Sequence, residues 1–290
     1  MAVQGSTALR SRLDLPRAPE MLGRRGATLG RVITITSGKG GVGKTTTTAN
    51  LGAALALLGC RVVCLDIDIG LRNLDIIMGF ESQVVFNLLD ILERDIAVED
   101  ALIQSAKLPN LFLIPAAQYG DKTTLGAMQL VFLCVKLRDM FDYVLIDSPA
   151  GIEEGFKSAT APADQIFLVT TPDVAAVRDA DRVVGLLGSV TAPSPQLLIN
   201  RYRPELSRRK GMLEIDDVAD ILSLDILGVI PEDETVIAAA YNCYLLVLNK
   251  KSGAGREYMR IGERLLGQRM PGAFARPPRG MFENLIGRFV

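Results

Sequence analysis

The residues best suited to chemistry lie in the stretch RVITITSGKGGVGKTTTT, residues 31–48. Gly38, Gly43, Lys44 and Thr45 fit the pattern G-x-x-x-x-G-K-[ST]. Glycines there let the backbone wrap closely round an anion and aim its N–H groups at it. The pattern follows a short β-branched run, 32–35, and opens a helix, whose first turn adds unpaired N–H groups and a favourable dipole. Lys44 can reach the β- and γ-phosphates of a nucleotide, and the Thr45 hydroxyl can bind Mg²⁺. Lys39 places a second ammonium inside the loop, where it would offset charge developing during phosphoryl transfer. It can serve its own nucleotide, or cross a symmetric interface and complete a partner's site.

Carboxylates follow two apolar runs. Asp147 ends the run 142–146 and is placed to be the second carboxylate beside a phosphate-bound Mg²⁺. Asp66 and Asp68 follow the run 61–65, and either could orient an attacking water or a metal-bound water. Asn200 ends the run LLIN, where its amide suits an adenine contact or an ordinary turn.

These groups need a scaffold. Short β-rich runs at 32–35, 61–65, 111–114, 142–146, 165–170, 196–200 and 225–230 alternate with helical patterns. The helices are expected over 45–58, 86–93, 97–103, 124–138, 174–187, 216–222, 234–240 and 256–266, with a charged loop at 202–213. Such alternation predicts an α/β fold, a mostly parallel twisted sheet with helices on both faces. In such a sheet the carboxyl ends of the strands form the ligand edge.

Composition narrows the chemistry. The chain of 290 residues is 49% hydrophobic and 22% charged, enough apolar content for a large core and against global disorder. A net charge of −1 gives no global attraction to a polyanion. There is no histidine, so hydrolysis would rest on carboxylates, lysine, metal and backbone. Cys60, Cys64, Cys134 and Cys243 form no C-x-x-C pair; Cys60 and Cys64 read as small buried hydrophobes. No run approaches the roughly 18 uninterrupted apolar residues of a membrane span.

The two ends differ from the middle. Residues 1–30 carry Arg10, Arg12, Arg17, Arg24 and Arg25 against Asp14 and Glu20, without a packing period. They suit a disordered tail or an organelle transit segment. Residues 31–267 form the expected catalytic domain, and 268–280 are a Pro/Gly/Arg linker. In 281–290 the residues Phe282, Leu285, Ile286, Phe289 and Val290 fall at i, i+3, i+4, i+7 and i+8, one apolar helical face. Arg279 and Arg288 flank it. Such a helix would lie in an anionic membrane surface rather than cross it.

At this point the motifs carry a resemblance. KGGVGKTT, residues 39–46, is similar to the phosphate loop of the ParA/MinD family of deviant Walker A ATPases. SGKGGVGKTTTTANLG, DIDIGLRNLDIIMG, DSPAGIE, VTTPD with VRDADRVVGLL, and GVIPED resemble its division-site branch over about residues 31–267. The resemblance implies a P-loop NTPase fold, ATP and Mg²⁺, hydrolysis, and a homodimer that closes face to face on ATP. It implies that Gly38, Lys39, Gly40, Gly41, Val42, Gly43, Lys44, Thr45 and Thr46 hold the nucleotide. Lys39 would act in trans, Asn200 would contact adenine, and Asp68 would position the water. Thr45, Asp66 and Asp147 would serve the metal. The implied partners are an inhibitor of the MinC kind, an activator of the MinE kind and an anionic membrane, with no nucleic acid. The implied role is division-site placement; the alternative in this family is ParA-like DNA segregation, which a basic surface would mark.

Two departures matter. Where family members have a glycine turn such as NRGEP, this chain has YNCYL, residues 241–245. The Arg-rich extension is similar to that of plastid-targeted members, so a plastid stroma and inner envelope are expected, with bacterial cytoplasm and inner membrane as the alternative.

Overall fold

The structure, a computed structural model, describes residues 29–120, 125–151, 154–189, 192–208 and 211–268. The expected extension up to residue 28, the linker beyond Gln268 and the membrane residues Phe282, Leu285, Ile286, Phe289 and Val290 lie outside them.

Eight strands form one sheet in the order β3-β4-β2-β5-β1-β6-β7-β8. They are β1 (Arg31–Thr36), β2 (Val62–Asp66), β3 (Ile103–Gln104), β4 (Leu111–Ile114), β5 (Tyr143–Asp147), β6 (Gln165–Thr170), β7 (Gln196–Tyr202) and β8 (Ile226–Pro231). All neighbours pair in parallel except β3 with β4. Both faces are covered, which is why the strands read as continuous apolar runs. The five described helices of eight residues or more are α1 (Lys44–Leu57), α2 (Ala127–Met140), α3 (Val174–Gly188), α4 (Ile215–Leu222) and α5 (Gly253–Leu265).

The strand period divides the core. Ile33 and Ile35 of β1 join α1 and α5 on one side, with Leu51, Leu55, Tyr258 and Ile261. Val32 joins α2 on the other, with Leu130, Leu133 and Leu137. Helix α1 packs directly on the sheet at Gly52, where there is no room for a larger residue. A Cβ added at Gly52 would stand 2.6 Å from the Cys64 sulfur, and Gly262 of α5 lets that helix close on Leu58 and Ala54. Cys60 and Cys64 are buried, as expected.

Several local expectations change. Residues 97–103 do not form one helix: a turn at Val98–Ala101 gives way to β3, because Ile103 pairs with Leu113 at the sheet edge and is buried there. The edge strand is antiparallel, so the sheet is mixed at that margin. The loop expected at 202–213 contains a helix, Pro204–Arg208, whose proline is pre-set for a first helical position. Helices at Leu74–Met78 and Glu154–Thr160 had no expectation, being only a turn or two long. In the YNCYL departure, Leu245 turns into the core beside α1 while Tyr241 stays on the surface, 88% exposed. Cys243 takes φ 49°, the left-handed conformation that a glycine would adopt at no cost.

The motif GVIPED proves to be a brace. The Asp233 carboxylate accepts from the Thr235 N–H (2.9 Å) and hydroxyl (2.6 Å), the Ser252 hydroxyl (2.7 Å) and the Ala254 N–H (3.0 Å). It thus ties the start of α5 to the start of the Thr235–Tyr241 helix. Burial would raise its pKa, but the hydrogen bonds from Thr235, Ser252 and Ala254 outweigh that and hold it at about 2. An acid with a depressed folded pKa stabilises above its ordinary value near 4 and loses that stabilisation as pH falls through about 2. Asp233→Ala is therefore expected to lower unfolding stability by about 1.5–3 kcal/mol at neutral pH. The difference from wild type should shrink in denaturant melts repeated across pH 4 to about 2.

Candidate active site

The carboxyl ends of β1, β2 and β5 meet at one point of the sheet edge, and the loop 37–43 arches over it before entering α1. Its bends are set by Gly41 (φ 79°) and Gly43 (φ 97°). A Cβ at Gly38 would stand 2.2 Å from the Asp179 carbonyl of α3, so the loop is pressed against that helix. A Cβ at Gly40 or Gly41 would meet nothing within 4 Å, which leaves this rim open to a ligand. Gly43 caps α1 without a side-chain hydrogen bond, and no acidic residue stands in the first turn. The amides of Lys44, Thr45 and Thr46 precede the first intrahelical donor, the Thr47 N–H, which bonds the Gly43 carbonyl, so they present N–H groups and the positive dipole end to an anion.

Beneath the loop lies a buried ionic cluster. Lys44 is 6% exposed and its Nζ donates to Asp147 Oδ1 at 2.9 Å. The Thr48 hydroxyl donates to the same oxygen at 2.9 Å. Asp66 is 1% exposed and sits directly opposite Asp147 in the β2–β5 register. Burial first, and the Asp147 charge second, push the Asp66 carboxyl up to about 7. Thr45 lies beside them, its hydroxyl 3.5 Å from Lys44 Nζ.

Two buried carboxylates with one lysine and a threonine hydroxyl suit a divalent cation. They match the way Mg²⁺ binds, with few protein oxygens and the remainder from phosphate and water. Among the described residues no cluster of three or more carboxylate, cysteine or histidine ligands could hold a metal alone. When bound, Mg²⁺ would neutralise charge on the phosphates; Thr45, Asp66 and Asp147 are the residues here that could hold it or its waters.

Asp66 and Asp68, two residues apart, would share a face on a continued strand, but β2 ends at Asp66 and they part there. Asp66 points inward, accepting the Asp68 N–H (3.0 Å) and the Leu74 N–H (3.2 Å), while Asp68 is half-buried at the rim. Asn200 lies behind the loop rather than at its open rim. It is 7% exposed and its Nδ2 donates to the Val42 carbonyl at 2.8 Å. Its amide hydrogen thus braces the loop. A Cβ at Gly43 would collide with that Nδ2, so the glycine and the asparagine are fitted to each other.

Lys39 is set apart from the buried cluster. Its side chain is 47% exposed, and its ammonium stands 4.0 Å from Asp173, the N-cap of α3. Burial acts to raise the Asp173 pKa, but bonds from the Thr171 hydroxyl and the Ala176 N–H, with the Lys39 charge, hold it below the usual carboxylate range.

Comparison with known proteins agrees with this geometry. Residues 33–243 match the family model described as "CobQ/CobB/MinD/ParA nucleotide binding domain". The chain is 48% identical over 241 residues to the putative septum site-determining protein MinD of Guillardia theta, covering 83% of this chain and 90% of that one. It superposes on the structure of the MinC:MinD cell division protein complex of Aquifex aeolicus with a TM-score of 0.77 and 41% identity, covering 83% of this chain and 98% of that one. It superposes on the septum site-determining protein MinD complexed with Mg-ADP from Pyrococcus horikoshii OT3 with a TM-score of 0.73 and 29% identity, covering 82% and 96%. The phosphate-loop lysines, the mixed but mostly parallel sheet and these relatives converge on one assignment: the chain belongs to the ParA/MinD family of deviant Walker A ATPases, in its MinD division-site branch, with ATP and Mg²⁺ as its cofactors.

Proposed function

We propose that ATP closes two copies of this chain face to face, and that the closed pair works at a membrane surface to place a division site. The observation that carries this is the separation of the two loop lysines. Lys44 is buried on its own carboxylate, whereas Lys39 stands outward on the same loop, where a second copy can receive it. In this reading the amides from Gly38 to Thr46 hold the phosphates, and Asn200 meets the adenine. Thr45, Asp66 and Asp147 serve Mg²⁺, Asp68 positions the attacking water, and Lys39 completes the partner's site.

The domain boundaries proposed are an extension to residue 30, the ATPase domain 31–267, a linker 268–280 and a membrane helix 281–290. Among the described residues no helix is long and apolar enough to cross a membrane. A surface-lying tail with Phe282, Leu285, Ile286, Phe289 and Val290 on one face would supply attachment instead. One such helix of about ten residues binds weakly, and pairing two on a dimer raises the effective concentration of the second. The Aquifex complex supports a MinC-like inhibitor as partner. A MinE-like activator that stimulates hydrolysis, and an anionic inner-envelope surface facing a plastid stroma, complete the proposal. The similarity to proteins of algae such as Chlorella vulgaris, and the Arg-rich extension, support the plastid.

Liposome co-sedimentation tests the membrane step. The full chain should sediment with anionic vesicles in Mg-ATP and far less in Mg-ADP. Phe282→Asp with Phe289→Asp should lower the ATP-dependent fraction by at least about tenfold while ATP-driven dimerisation persists. Undiminished sedimentation of that variant would remove the tail as anchor.

A further inference from the structure

The segment between Asp66 and Leu74 has more fixing points than a surface turn requires. Asp66 holds both its ends, through the N–H groups of Asp68 and Leu74. Between them Gly70 takes φ 92° and Arg72 takes φ 40°. A left-handed conformation is costly for an arginine, by roughly 1 kcal/mol or more, and persists only where the surroundings enforce it. The enforcing contact is an ion pair. Arg72 Nε donates to Asp75 Oδ2 at 2.7 Å, with the side chains 19% and 0% exposed.

Asp75 is an expensive residue to keep there. Its carboxylate is fully buried, and Oδ1 has no hydrogen-bond partner among the described residues. It lies in the first turn of Leu74–Met78 but is not the cap of that helix, which is Asn73. A small apolar residue would serve packing at less cost. What the pair does accomplish is geometric. The N–H groups of Leu71 and Arg72 both point back to the Asp68 carbonyl, at 3.2 and 3.4 Å. Fixing Arg72 therefore fixes the peptide that carries Asp68.

We propose that Arg72 and Asp75 are positioning residues for hydrolysis, holding the Asp68 carboxylate at the angle it needs toward the attacking water. This rests on the reading of Asp68 given above. A misplacement of about 1 Å at a reacting group can cost on the order of a hundredfold in rate.

The test uses the full chain and measures phosphate release at saturating ATP, KM, the Kd for ATP by calorimetry, and ATP-dependent dimerisation by size. Arg72→Ala should lower kcat by about tenfold to a hundredfold, with KM, Kd and dimerisation within about twofold of wild type. Arg72→Ala with Asp75→Asn, which avoids leaving a lone buried charge, should show a similar kcat rather than a doubly reduced one, since the two residues act as one unit. Arg72→Lys should recover part of the rate. Wild-type kcat in the Arg72 variants, alongside a dead Asp68→Ala control, would overturn the proposal and leave the Asp68 role standing. Loss of ATP affinity or dimerisation in step with kcat would also overturn it, in favour of a structural role. An active Asp68→Ala control would remove the Asp68 role and this inference together.

Discussion

Mixing Lys39→Ala chains with Asp68→Ala chains is expected to restore ATP hydrolysis that neither supports alone. Each variant should still bind ATP, because Lys44, Asp147 and the loop amides are untouched. In a mixed dimer the Lys39→Ala subunit keeps its Asp68 and receives Lys39 from its partner, so one of its two sites is complete. With equal amounts and random pairing, half the dimers are mixed, and turnover should recover to roughly a quarter of wild type. If Lys39 acted within its own subunit, no site in the mixture would be whole and recovery would be nil. The contact that Lys39 makes in its own chain does not hold it back. A half-exposed pair at 4.0 Å is worth at most about 1 kcal/mol, far less than a charged phosphate oxygen offers. Phosphate release titrated against mixing ratio checks the prediction, and a flat zero across all ratios would end the trans reading.

Replacing Lys44 by Met is expected to do two separable things. It removes the ammonium that meets the phosphates, so the Kd for ATP should rise by at least about tenfold. It also strands Asp147, buried to 1% exposure beside the equally buried Asp66. Breaking one side of such a pair costs about 3–5 kcal/mol of unfolding stability. Adding Asp147→Asn in the same chain takes away the stranded charge while the Thr48 hydroxyl keeps an acceptor. Denaturant melts should then show most of the stability regained, while calorimetry shows ATP affinity still lost. Recovery of both, or of neither, would mean that the lysine and the carboxylate do not divide the work in this way.

The outline of the molecule is written in local pattern. The seven apolar runs expected as strands all appear in one sheet, because a strand covered on both faces needs an unbroken apolar run. The short edge strand Ile103–Gln104 and the helix Leu74–Met78 were not legible. Two to five residues carry too little period to compete with flanking signals, and both are held by partners outside themselves, Leu74 by the Asp66 carboxylate and Ile103 by Leu113. The 202–213 stretch read as a loop because its charges mask the short helix that Pro204 begins.

The sequence by itself determined the phosphate loop, the carboxylates that end β2 and β5, and the α/β alternation. Each depends on residues adjacent in the chain, where glycine torsions, helix starts and strand period act directly. Only the tertiary structure decided that Lys44 would lie on Asp147, 103 residues away, and that Asn200 would brace Val42 from 158 residues away. It alone set Asp66 opposite Asp147. These contacts follow from strand order and register, which fix where distant side chains meet and leave no mark on the spacing of neighbours.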